Sequence, residues 1–100
     1  MSSSTLYAVY VLASRYRGTL YVGSTSNLTA RIWQHRNHVV SGFSHSYNVT
    51  RLVWFEFHED SETAGLMENR LKRWRRDWKF VLIEKTNPDW CDLYDDIAEV

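Results

Sequence analysis

The most constraining stretch of this chain is Tyr7-Ala8-Val9-Tyr10-Val11-Leu12, followed by Leu20-Tyr21-Val22-Gly23-Ser24-Thr25. From Leu6 to Ala13 the residues alternate as a strand does, with Leu6, Ala8, Tyr10 and Leu12 on one face. Ser14 to Thr19 contains Gly18 and reads as a hairpin connection, which makes Leu20 to Gly23 a second strand. If that connection holds an even number of residues, Tyr10 and Tyr21 share a face. Arg31 and His35 follow in the next helical stretch. A tyrosine or arginine on the inner face of a small domain brings a polar group that needs a partner. Their regular placement therefore points to a site rather than to packing alone.

The rest of the chain reads as alternating helices and strands with no repeat. Ser26 or Asn27 can cap a helix running to about Val39. Its stripe is Leu28, Ile32, His35 and Val39, with Arg31 at the border. A polar loop with two aromatics, Ser41 to Asn48, precedes a strand from Arg51 to Phe57 that is rich in β-branched and aromatic residues. Asp60 or Ser61 can cap a second helix to about Trp78, with Ala64, Met67, Leu71, Trp74 and Trp78 as its buried stripe. Glu68, Lys72, Arg75 and Lys79 form a second stripe beside it. Phe80 to Glu84 reads as a fourth strand or an extended packing arm. Asn87-Pro88-Asp89 looks like a cap with proline at the first position of a short last helix. The expected architecture is α+β, a small, mostly antiparallel three-stranded sheet flanked by helices.

One hundred residues suit a single domain with a modest core. We expect a core unit of about 5–85 and an acidic segment over 86–100. The formal net charge of zero hides an asymmetry: residues 1–85 carry +5 and residues 86–100 carry −5. A basic body suits a polyanion, while the acidic end either neutralises that body or is simply solvated. The one cysteine, Cys91, cannot form an internal disulfide, which fits a reducing cytoplasm. The start of the chain lacks a basic secretory leader, and its apolar stretch is too short to span a bilayer, so a cytoplasmic location without membrane contact is expected. His35, His38, His45, His58 and Cys91 have no spacing of a usual closed zinc site.

The ordered set Ala8-Val9-Tyr10, Tyr21-Val22-Gly23, Arg31, His35 and Glu68 resembles the motifs of the GIY-YIG nucleases. That family includes the amino-terminal nuclease domain of the bacterial excinuclease ABC system, and the likeness is greatest to its small stand-alone bacterial members. The resemblance covers roughly residues 5–85. It implies hydrolysis of a DNA phosphodiester with a Mg²⁺ or Mn²⁺ ion, on branched or damaged DNA in repair or recombination. Tyr10 and Tyr21 would flank the attacking water, and one would accept its proton. A phenol with a pKa of ~10 needs a nearby cation to do so. Arg31 would supply that cation and stabilise charge on the phosphate. His35 is the alternative base. Glu68 would be the sole protein ligand of the metal. Both tripeptides keep their tyrosine. Where many members carry an asparagine after the glutamate helix, this chain reads Lys79 or Phe80, and Asn87 is its nearest asparagine.

Arg70, Lys72, Arg73, Arg75, Arg76 and Lys79 form the densest basic run, a candidate face for the DNA backbone. Trp33 and Phe43 can stack on exposed bases or pack ordinarily. The competing assignments are a binding module on the same fold without catalysis, and a protein-interaction domain. A protein partner would supply any specificity that so small a domain lacks.

Overall fold

In the computed structural model, residues 6–37 and 48–98 are described. The elements are β1 (Tyr7–Ala13), β2 (Leu20–Thr25), α1 (Leu28–Arg36), β3 (Arg51–His58), α2 (Ser61–Arg73), α3 (Arg76–Thr86) and α4 (Tyr94–Ala98). The three strands form one antiparallel sheet in the order β2-β1-β3. This is the α+β architecture expected from the sequence.

Because β1 is central, it is buried on both faces. Ala8, Tyr10 and Leu12 pack with Leu28 and Ile32 of α1. Val9, Val11 and Ala13 pack on the other face with Ala64 and Leu71 of α2 and Ile83 of α3. Leu6 stays outside the strand and is half exposed. The helices begin where short polar side chains can satisfy free amides. Asn27 caps α1 by accepting from the Ala30 amide at 3.2 Å, and Asp60 caps α2 by accepting from the Thr63 amide at 2.8 Å. Helix α1 ends at Arg36, with Asn37 as its C-cap. Val39, His38, His45, Phe43 and most of the polar loop lie outside the described residues.

Three expectations are corrected. The second helix does not run to Trp78. It stops at Arg73, and Trp74 and Arg75 adopt extended backbone before α3 begins. Trp78 is therefore 52% exposed rather than part of the core stripe. Phe80–Glu84 is not a strand or an arm but the middle of α3, which buries Ile83. Asn87 does not start the last helix. It ends α3, and its buried side-chain amide donates to the carbonyls of Val53 (3.1 Å) and Cys91 (2.9 Å) and accepts from the Cys91 amide (3.0 Å).

The acidic segment is also more than a solvated end. Trp90 is fully buried, against Phe80 and Tyr16, and its indole N–H donates to Glu84 at 2.7 Å. The Leu93 amide donates to the Leu52 carbonyl at 2.8 Å. Asp92 pairs with Arg36 of α1 at 2.5 Å. No helix among the described residues is long and apolar enough to cross a membrane.

Candidate active site

The hairpin register decides the first half of the site. Six residues, Ser14 to Thr19, connect β1 to β2, and the pairing sets Tyr10 opposite Gly23 and Leu12 opposite Tyr21. Directly paired residues share a face, so Tyr10 and Tyr21 lie side by side, with ring centroids 6.4 Å apart. Helix α1 then lays His35 against both rings, at 5.4 Å from Tyr21 and 6.0 Å from Tyr10. The Tyr10 hydroxyl is 3.3 Å from His35 Nε2.

Gly23 makes this arrangement possible. A Cβ there would sit 2.6 Å from the Tyr10 hydroxyl oxygen, 2.7 Å from Cζ and 3.2 Å from Cε2 of Tyr21. The phenol of Tyr10 thus lies across the backbone of the edge strand, in space that any other residue would fill. A glycine inside a strand often marks such a close approach, and this signal is present in the sequence.

The second half comes from the other face. Ser24 alternates with Gly23, so it points toward α2. Its hydroxyl donates to Glu68 Oε1 at 2.5 Å, and Lys72 Nζ holds Oε2 at 2.7 Å. The constellation therefore wraps the outer edge of the sheet, with Tyr10, Tyr21 and His35 on one face of β2 and Ser24, Glu68 and Lys72 on the other. Sequence reasoning misses Ser24, because its relevance depends on which residue α2 sets opposite β2.

Burial chiefly pushes the Tyr10 phenol well above its ordinary range, with Tyr21 and Glu68 adding to the effect. Arg31 pulls the other way and is outweighed. Arg31 therefore does not bring the Tyr10 phenol down toward neutrality. Burial, together with the nearby Arg31, moves His35 below its ordinary 6.5, so its imidazole is neutral at pH 7. For Glu68, burial raises the carboxyl, but the Lys72 and Ser24 hydrogen bonds win, and the group is ionised at neutral pH.

A divalent ion of the magnesium type fits this donor set. Glu68 is an ionised, half-buried carboxylate with a hydroxyl beside it, and such ions are held by one or two carboxylates plus waters and substrate phosphate. Among the described residues no three His, Cys, Asp or Glu side chains converge, so no all-protein cage is built. Asn87, engaged by three backbone groups, serves the fold.

The basic run is divided by the break between α2 and α3. Arg70 and Arg73 are exposed at the end of α2. Lys72 is committed to Glu68. Arg75 is exposed beside Asp77 at 3.5 Å. Arg76 reaches back to the hairpin, donating to the carbonyls of Arg17 (2.9 Å) and Gly18 (2.6 Å). Lys79 is partly buried, and burial and Arg76 lower its pKa. Trp33 is half exposed on α1.

The fold is a small α+β domain built on one three-stranded antiparallel sheet. The chain belongs to the GIY-YIG family: the model of the GIY-YIG catalytic domain matches residues 6–81. This is a family of nucleases with DNA as substrate, whose members generally use divalent metals. The chain is 35% identical over 75 residues to UPF0213 protein CPE1444 of Clostridium perfringens (strain 13 / Type A), covering 75% of this chain and 80% of that protein. Its fold is similar to the solution NMR structure of UPF0213 protein BH0048 from Bacillus halodurans, with a TM-score of 0.55 at 22% identity over 90% of this chain and 95% of the other.

Proposed function

We propose that this protein is a metal-dependent DNA endonuclease that hydrolyses phosphodiester bonds, acting on branched or damaged DNA in repair or recombination. The observation that carries the reading is the contact of a buried phenol with a neutral imidazole, Tyr10 to His35, at the gap left by Gly23. A phenol raised by burial does not give up its proton in advance. It can pass one on: as Tyr10 takes the proton of the attacking water, its own proton moves to His35 Nε2. The water oxygen bonds to phosphorus, and the bond to the departing sugar oxygen breaks. His35 is then the final acceptor, Tyr10 the relay, and Tyr21 positions the water. Arg31 offsets charge growing on the phosphate. Glu68 would hold the metal, with Ser24 fixing its carboxylate. When bound, the metal would act as a Lewis acid on the phosphoryl oxygens.

Arg70, Lys72, Arg73, Arg75 and Lys79 are the proposed phosphate-contacting residues, whereas Arg76 is engaged by the carbonyls of the β1–β2 hairpin. Such contacts read the backbone and not the bases, which favours recognition of DNA shape and leaves sequence choice to a protein partner. One observation favours a second reading, a binding module without catalysis: both oxygens of Glu68 already have partners, as in a structural ion pair.

A panel of branched, flapped, nicked and single-stranded DNAs separates the two. With Mg²⁺ or Mn²⁺, the endonuclease cuts at least one of them. EDTA stops it, and Glu68→Ala loses cleavage by more than a hundredfold while still binding. Salt-sensitive binding with no cleavage by either protein would establish the binding module instead.

A further inference from the structure

Glu68 has no free oxygen. Ser24 holds Oε1 at 2.5 Å and the Lys72 ammonium holds Oε2 at 2.7 Å. The two partners are not equivalent. A hydroxyl carries no net charge, and its oxygen can itself face a cation. An ammonium at contact distance from the only carboxylate of the set repels any divalent ion arriving there. The Lys72 side chain is also placed to leave. Its side chain is 51% exposed against 20% for that of Glu68, and it sits one turn along the same helix, among the exposed Arg70 and Arg73. Four methylenes let the ammonium swing outward without disturbing the core.

We propose that Lys72 is a tethered counter-ion that exchanges partners: it holds Glu68 while no metal is bound, and is released to a DNA backbone phosphate when a divalent ion takes the carboxylate. The inference rests on Glu68 as the metal ligand. Metal and DNA then favour each other, because each removes what the other must displace. The metal frees the lysine for the phosphate, and the phosphate offers the lysine a replacement for Glu68. That is a reciprocal coupling through one side chain.

The test uses the whole 100-residue chain described above. Mn²⁺ affinity without DNA is read from the electron paramagnetic resonance signal of the free ion, for wild type, Lys72→Met, Lys72→Arg and Glu68→Gln. Lys72→Met keeps most of the stem and removes the charge. It should bind Mn²⁺ on the order of tenfold more tightly, since a unit positive charge beside the ion is gone. Lys72→Arg should stay near wild type. Anisotropy of a fluorescent flap DNA, in EDTA and in Ca²⁺ at matched ionic strength, reads the second half. Ca²⁺ should tighten DNA binding more for wild type than for Lys72→Met. If Lys72→Met binds Mn²⁺ no better than wild type, or Ca²⁺ tightens DNA binding equally for both, the exchange is overturned and Glu68 remains the ligand. If Glu68→Gln binds Mn²⁺ as wild type does, Glu68 is not the ligand, and the metal assignment fails together with the exchange. Unchanged melting temperatures establish that the variants are folded.

Discussion

A residue with no side chain sets the geometry of the site. Gly23 faces Tyr10 across the hairpin, and the space a Cβ would need is occupied by the phenol and by the edge of Tyr21. Gly23→Ala should therefore displace both rings, move the Tyr10 hydroxyl off His35, and lower the cleavage rate by at least about tenfold, the size of loss that a misplaced reacting group brings. Elsewhere in a strand the same exchange would stabilise by ~0.4–1 kcal/mol through the unfolded chain. Here the clash with the buried Tyr10 costs stability as well, so the melting temperature should also fall, and the cleavage rate measured at a temperature where the variant remains folded isolates the loss at the site. Ser24→Ala would be a weaker lesion, because it removes one hydrogen bond to Glu68 and leaves the tyrosines in place.

At the scale of elements, the break between α2 and α3 decides which cations face solvent. Arg70 and Arg73 end α2 exposed, whereas Arg76 is spent on the carbonyls of the β1–β2 hairpin and lies over the Phe80 ring at 4.9 Å. If Arg70 and Arg73 contact phosphates, replacing each by alanine should lower the slope of log affinity against log salt by about 0.9. Arg76→Ala should leave that slope unchanged and instead lower the melting temperature, having lost two hydrogen bonds from a charged donor. DNA binding across a salt series, beside a thermal melt, separates the two roles. The sequence showed the two strand tyrosines, a cap at Ser26 or Asn27, another at Asp60 or Ser61, and the strand of Arg51, because alternation, capping chemistry and β-branched content are local signals. It did not show the break. Trp74, Arg75 and Arg76 include no glycine or proline, and the apolar period runs on through Trp78. The break has no local signal, and beyond it Arg76 is held by the carbonyls of the hairpin. The run Phe80-Val81-Leu82-Ile83 misled for a related reason: four apolar residues in a row have neither period, so only packing decides between strand and helix. Glu68 could be singled out as a candidate ligand, and its spacing of four residues to Lys72 made that ion pair legible, but Ser24 could not be found because it reaches Glu68 from another element.

For the molecule as a whole, the acidic charge of the last residues conceals a structural seam. Arg17 in the β1–β2 hairpin donates to both oxygens of Glu84 in α3, at 2.7 and 2.8 Å, and the buried Trp90 indole donates to the same carboxylate at 2.7 Å. One side chain thus joins the hairpin, α3 and the segment that follows it. Removing residues 86–100 would take away Trp90 and Asn87 as well as five acids, so truncation tests the fold and not the shielding of a basic face. The seam has its own signature in pH. The Arg17 and Trp90 hydrogen bonds hold the Glu84 carboxyl at about 2, against an ordinary 4.5. A carboxyl whose folded pKa is depressed stabilises above its unfolded value and loses that contribution as pH falls toward the folded one. The Glu84 contribution should therefore be complete above about pH 4.5 and fade as pH falls from 4.5 to about 2. Glu84→Gln keeps the shape of the side chain and removes its charge. Its melting temperature should lie below wild type at neutral pH, and the two curves should converge as pH approaches 2. Parallel curves down to that pH would mean that the seam is held by the packing of Trp90 alone. The charge of Glu84 would then be incidental to how the hairpin, α3 and the last segment are joined.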